Sequence, residues 1–188
     1  MSRTNSLQFF SFRTRLGWIG ILGQKNSLYS LSFGNSTKEV ACQRLIQAIV
    51  EPPAEMDWNP SLRKRLTDYA EGAPVDFWEV DVAIGDQTPF SVSIIEACRR
   101  IPYGETRSYG DLARETGAPK AARAVGNVMK SNRCPLVVPC HRVVHGDGRI
   151  GQFSAPQGVS MKLRLLSMEA ASSGFARGPA LLVDARSR

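Results

Sequence analysis

Four cysteines and two histidines supply the chain's nucleophiles and soft bases. One of each stands side by side, in Pro139-Cys140-His141-Arg142. The thiolate, not the thiol, attacks carbon, and a nearby histidine or cation lowers the thiol pKa. The triplet Pro-Cys-His therefore offers a nucleophile with a base beside it. Adjacent side chains diverge in an extended segment, so a proton would pass through a water or across a turn. A buried, inert cysteine is the other reading of the same residues, and the triplet alone leaves both open. The remaining cysteines are Cys42, Cys98 and Cys134, and none forms a CxxC pair. With only His141 and His145 to join them, a zinc site has little to draw on. No metal and no cofactor are expected.

These residues need elements to hold them. Residues 7–13, 16–22 and 27–33 read as short strands separated by turn-like stretches at Gly17 and at 23–26. Ser36-Thr37-Lys38-Glu39 reads as a capping box. The helix after it repeats Cys42, Leu45, Ile46 and Ile49, so Cys42 is expected in the core, with Pro52 and Pro53 as the stop. A second helix is expected over 61–70, with Leu62, Leu66 and Tyr69 on one face. Trp78, Val80 and Val82 alternate with acidic residues, which predicts a half-buried strand. The first segment is thus a small α+β domain with no histidine and no constellation that carries chemistry.

The boundary falls at 84–87. Thr88-Pro89 opens a helix that puts Ile94, Ile95 and Cys98 on one face. Ser108 caps the next helix with Asp111 three residues on, and Gly117 closes it. Pro119 starts another helix, running to about Lys130. Two short helices joined by a glycine turn are the helix-turn-helix pattern. One face of the second is nearly all Ala and Gly, with Arg123 projecting among them. Small residues let a backbone approach another surface closely, and tight helix–helix packing uses them too. Past that helix, 135–139 reads as a short buried extended piece that delivers Cys140.

The charge is divided unevenly. Residues 1–87 carry nine Lys/Arg against ten Asp/Glu, whereas 88–188 carry fifteen against seven, for a total of +7 in 188 residues. A basic second half suggests a polyanionic partner; a solvated basic face is the bland alternative. The first dozen residues lack a signal-peptide core, and no apolar run approaches the ~18 residues of a membrane span. A cytoplasmic protein without membrane attachment is expected, nucleoid-associated if bacterial.

Pro139-Cys140-His141-Arg142-Val143 resembles the active-site signature of the methylated-DNA–protein-cysteine methyltransferases, the O6-alkylguanine-DNA alkyltransferases. The segments 101–109 and 121–126, Asn132 and residues 158–169 follow in family order, so the resemblance covers about 86–170. It implies a ribonuclease-like α+β N-terminal domain over 1–85 and a mostly α C-terminal domain with a helix-turn-helix over 86–172. A flexible tail is expected over 173–188.

The implied activity is direct repair by a monomer acting on double-stranded DNA that carries O6-alkylguanine or O4-methylthymine. The lesion base is flipped out and its alkyl group moves irreversibly to Cys140. Flipping is required because the reacting carbon lies inside the duplex. His141 would take the thiol proton through a water, Glu169 would hold His141, and Asn132 would brace the turn before the active-site strand. Arg123 would fill the gap left by the base from the minor groove, with Ala122, Lys120 and Lys130 also on the DNA side. Tyr109 would press on a phosphate and bond the base. Met129, Pro135 and Phe153 would line the pocket. The carbonyls of Cys140 and Val143 would read the guanine amino group, and the Ser154 N–H would bond O6.

The chain departs from the family pattern in places. The 154–158 loop is about two residues longer than usual, Phe153 stands where Tyr is frequent, and the zinc ligands some members carry in the N-terminal domain are unmatched. Three other readings remain: a lesion binder that does not react, a regulator with a structural cysteine, and a cysteine hydrolase.

Overall fold

The computed structural model of the chain describes residues 6–47, 49 and 53–172, so the 173–188 tail lies outside them. The fold is α+β, and the described residues divide into two compact units. One runs to Gly85 and takes in Arg133–Pro135; the other holds Asp86–Asn132 and the chain from Leu136 onward.

The first unit is built on an antiparallel meander of β1 (Gln8–Thr14), β2 (Gly17–Gln24) and β3 (Ser27–Asn35). Each expected strand is present within two residues of its predicted ends. Gly17 takes φ +93° in the first hairpin, and a Cβ there would stand 2.8 Å from the Asn35 carbonyl oxygen, so only glycine fits. Helix α1 (Lys38–Ile46) covers β2. Gly20 leaves the space that Leu45 fills, since a Cβ there would lie 2.6 Å from Leu45 Cδ1. Strand β4 (Ala54–Glu55) joins β1 in parallel, giving the order β3-β2-β1-β4. Helix α2 (Pro60–Ala70) is capped by Asn59 and buries Leu62, Leu66 and Tyr69 as expected.

Four expectations for this unit are corrected. The cap of α1 is Thr37, whose hydroxyl accepts from Val40 N at 3.3 Å. Glu39 therefore sits one position short of the reciprocal contact that a capping box needs. The buried pair of α1 is Ala41 and Leu45, and Cys42 is half-buried against the Ser11 hydroxyl at 3.5 Å. The helix ends at Ile46, so Ile49 is beyond it and prolines do not stop it; Pro52 lies outside the described residues. The expected strand at 78–82 is instead a turn. Asp76 Oδ1 accepts from Trp78 N at 3.2 Å and Val80 N donates to Phe77 O at 3.1 Å. That local bonding competes with strand pairing. Trp78 is left 50% exposed while Phe77 is buried, and only Val82 bridges β3, at Leu28.

The second unit packs α3 (Pro89–Arg99), α4 (Tyr109–Glu115) and α5 (Ala122–Lys130) against one another. Thr88 caps α3, which buries Ile94 and Cys98, with Ile95 half-buried. Ser108 and Asp111 close a reciprocal capping box at 3.0 and 2.8 Å, and Gly117 ends the helix region with φ +76°. Helix α5 begins three residues after Pro119. Ala118 N donates to Ala113 O and Ala121 N to Ala118 O, both at 2.8 Å; these bonds hold Pro119 and Lys120 in a turn.

The 135–139 piece is buried as expected but bent, not extended, because Leu136 takes φ +73°. Holding a branched side chain there costs about 1–3 kcal/mol. A 3-10 turn, Cys140–Arg142, follows and leads into β6 (Val143–Val144), which pairs in parallel with β5 (Arg107–Ser108). That short sheet places the start of α4, and with it Tyr109, beside the Cys140 turn. Helix α6 (Val159–Ser172) buries Met161, Lys162, Leu165, Leu166 and Glu169 on one face, a helical stripe that includes two charged residues.

Candidate active site

The bend at Leu136 and the 3-10 turn aim the sulfur. Asn132 on the chain leaving α5 donates through Nδ2 to Val138 O at 2.9 Å and to Cys140 Sγ at 3.1 Å. One amide thus braces the backbone before the cysteine and supplies a donor to its sulfur. Cys140 is 4% exposed. Burial pushes its thiol pKa up, while the Asn132 donor, the Lys162 charge and the local backbone N–H groups pull it back. The resting group is a thiol that needs a base.

A candidate base is next in the chain. His141 is fully buried, with Nε2 2.8 Å from Glu169 Oε1. Burial lowers its pKa against the pull of Glu169, so the ring is neutral at rest. With Nε2–H donated to the carboxylate, Nδ1 is the ring's basic atom. Glu169 also accepts from Arg142 Nε at 2.9 Å, Arg142 Nη2 at 3.0 Å and Gly104 N at 3.0 Å. Burial favours its neutral form, but His141 and Arg142 outweigh that and hold the carboxyl well below the usual carboxylate range. Arg142 Nη1 donates to Ile101 O at 2.8 Å, which ties the 101–104 turn to the same cluster.

Sequence reasoning treated Arg142 only as a neighbouring cation and missed Lys162. Its Nζ is buried and donates to Val143 O at 2.5 Å. Burial drops its pKa to about 8, opposed by Cys140 and Cys98. The available signal was its register: Lys162 lies four residues before Leu166 and seven before Glu169, on the apolar stripe of α6.

The sulfur opens on a cavity of about 590 Å³. Of the expected residues, Tyr109, Ala122, Arg123, Met129, Lys130, Phe153 and Ser154 line it with Cys140. Asn132, His141 and Glu169 are not in its wall but reach the sulfur or each other behind it. Val143 is likewise absent from the wall and presents its carbonyl to Lys162. Lys120 is exposed in the turn before α5. Pro135, expected in the wall, groups with the first unit and is absent from the lining. Cys134 is buried in that unit, its thiol facing Leu28 O at 3.8 Å. His145, considered in the sequence only as a metal ligand, does line the cavity, edge-on to Tyr109 with ring centroids 5.3 Å apart.

The arrangement can deliver a thiolate into a walled, partly apolar space with cations at its edge. Comparisons with known proteins agree with that chemistry. Residues 89–171 match the family model described as the DNA-binding domain of 6-O-methylguanine DNA methyltransferase. A methylated-DNA–protein-cysteine methyltransferase of Methanosarcina acetivorans is 31% identical over 159 residues, covering 84% of this chain and 95% of the relative. A DNA base-flipping protein of Thermus thermophilus is 38% identical over 122 residues, covering 64% and 79%. The crystal structure of Mycobacterium tuberculosis OGT in complex with DNA superposes with a TM-score of 0.73 at 28% identity, covering 88% of this chain and 94% of that one.

Proposed function

Because the chain belongs to the methylated-DNA–protein-cysteine methyltransferase family, we propose that it repairs duplex DNA by taking the alkyl group of O6-alkylguanine onto Cys140, once per molecule. The observation that carries this reading is the Cys140 sulfur, which opens on a 590 Å³ cavity with the Asn132 donor on it and the His141–Glu169 pair adjacent.

In this reading the first unit is the family's ribonuclease-like support, and α4 and α5 are a helix-turn-helix. The face of α5 that carries Ala122 and Gly126 enters the minor groove, which is only ~6 Å wide and suits small side chains. Exposed Arg123 occupies the gap in the stack, and Lys120 and Lys130 contact phosphates. Tyr109 presses on the backbone of the everted nucleotide and its hydroxyl bonds the base. Met129 and Phe153 wall the alkyl group, and the Ser154 N–H points at O6. The carbonyls of Cys140 and Val143 take the guanine amino group; the Val143 oxygen has a second lone pair for this beside Lys162.

The chemistry balances within one chain, in keeping with a monomer. His141, oriented by Glu169, removes the thiol proton through a water. The S–C bond forms as the C–O6 bond breaks, the electron pair stays on guanine, and guanine regains one proton. Donors aimed at O6 and the ring nitrogens stabilise the charge that develops there. The product thioether is not hydrolysed by thiol, imidazole or carboxylate, so each chain reacts once.

Titration against duplex DNA labelled at the methyl carbon tests this. The label is expected to transfer until about one equivalent per chain is reached, as a covalent acceptor without a release step requires. Continued release of methanol would mark a hydrolase, and tight lesion binding without transfer a non-reacting binder; either outcome overturns the reading.

A further inference from the structure

Among the polar groups of the cavity wall that the proposed reaction leaves unused, His145 is the one whose ring meets Tyr109. His145 follows β6 in a tight loop, its N–H donating to Arg149 O and its carbonyl accepting from Gly148 N, both at 3.0 Å. The residue is exposed at the cavity edge. Its ring meets Tyr109 edge-on at 61°. Both polar tips approach the same point beside Gly151: a Cβ there would lie 2.6 Å from Tyr109 Oη and 3.3 Å from His145 Nε2. Glycine at 151 is what lets the two side chains converge.

We propose that His145 is a positioning residue that acts through Tyr109, its Nε2–H donating to the phenolic oxygen so that the hydroxyl proton is directed at the everted base. The proposal rests on the alkyl-transfer reading above. A phenol that donates to a substrate still has an oxygen lone pair to satisfy. A donor placed on that lone pair fixes the hydroxyl rotor and strengthens the outgoing bond, because linked hydrogen bonds polarise one another. Imidazole provides this donor when neutral and a stronger, charge-assisted one when protonated. The titratable and charged groups around it are Tyr109 from α4, Arg123 and Lys130 from α5, and Cys140 across the cavity. In its own loop Asp147 and Arg149 are paired at 2.7 Å.

The test is the rate at which Cys140 is alkylated by free O6-benzylguanine, which bypasses DNA binding. It is measured across pH for the wild type, His145→Gln, His145→Leu, Tyr109→Phe and the Tyr109→Phe/His145→Leu double variant. Ratios to the wild type cancel the titration of the thiol itself. Gln keeps an uncharged donor and is expected within about two-fold of wild type. Leu is expected about three- to ten-fold slower throughout, the size of one hydrogen bond. In the Tyr109→Phe background His145→Leu is expected to change nothing further. Ratios of one at every pH, or a His145→Leu loss that persists without the phenol, would overturn the proposal. A wild type that gains no benzyl group would instead refute the alkyl-transfer reading.

Discussion

The two units bury different kinds of side chain. Among the described residues, the buried polar groups of the first unit are Ser11 and Asn35, both uncharged. Those of the second are His141, Arg142, Lys162 and Glu169. The first unit is thus a sheet and two helices held by apolar packing, with no buried acidic or basic side chain among its described residues. The second takes four ionisable groups out of water, which costs several kcal/mol per ion unless they compensate one another. His141, Arg142 and Glu169 bond one another, and the Lys162 charge acts on the Cys140 thiol. The difference sets the units apart without reference to any motif: the desolvated charges all fall in the unit that holds Cys140.

That contrast can be broken at several points. Glu169→Ala has the largest expected effect. It removes the anion that His141 and Arg142 both face, so unfolding stability should fall by about 3–5 kcal/mol and alkyl transfer should be lost. A loss no larger than that of a surface substitution in a thermal melt would show that the cluster is not coupled. Glu169 also sets the pH response. Its folded pKa lies below the ordinary 4.5, so its contribution is complete above about pH 4.5 and drains away as pH falls below that. Denaturant melts should show the wild type losing stability in this acid range, and Glu169→Gln losing less.

Arg123→Ala sharpens the contrast within the second unit, since this cation is exposed on α5. Stability should be unchanged within about 0.5 kcal/mol. Transfer from duplex DNA should slow by about 10–100-fold, the scale of the few kcal/mol needed to hold a base out of the stack. Reaction with free O6-benzylguanine should be unaffected; equal slowing in both assays would remove the stack-filling role.

Lys162→Met tests the buried cation. The folded pKa of Lys162, about 8, lies below its ordinary 10.5, so the native state sheds this proton before the unfolded chain does. Stability attributable to it should therefore rise with pH between about 8 and 10.5 in the wild type and stay flat in the variant. Losing the positive charge should also shift the pH profile of Cys140 alkylation to higher pH. The smallest effect is expected from the first unit. Asn35 donates to Trp18 O at 3.0 Å and to Ser32 Oγ at 2.8 Å. Asn35→Ala should cost about 1–2 kcal/mol, with no acid dependence and no change in the rate with free base.

Much of this architecture was legible in residue order because local signals and tertiary packing agree. Turn residues delimit β1 to β3, Thr88-Pro89 opens α3, and Ser108 with Asp111 opens α4. Legibility failed where a longer-range or unusual backbone state decided. Asp76 captures the Trp78 amide, which no alternation of side chains announces. Leu136 adopts a left-handed conformation that a branched residue rarely takes. Ala41 and Leu45 face β2 because Gly20 lies beneath them, and that rotates Cys42 off the core. In the site, Cys140, His141 and Glu169 could be named in advance. Lys162 was legible only from its register on the apolar stripe of α6, against the habit of lysines on helices to be solvated, and His145 was not legible, because a loop histidine has no periodicity to betray its ring contact.

The central claim is that the Cys140 sulfur is the acceptor. Intact-mass measurement before and after incubation with O6-methylguanine duplex, followed by peptide mapping, tests it directly. The account predicts a gain of about 14 Da, one CH₂, confined to the peptide that holds Cys140 and absent in Cys140→Ser. A methyl group found on Cys98 or Cys134, or no gain while the lesion disappears, would contradict it.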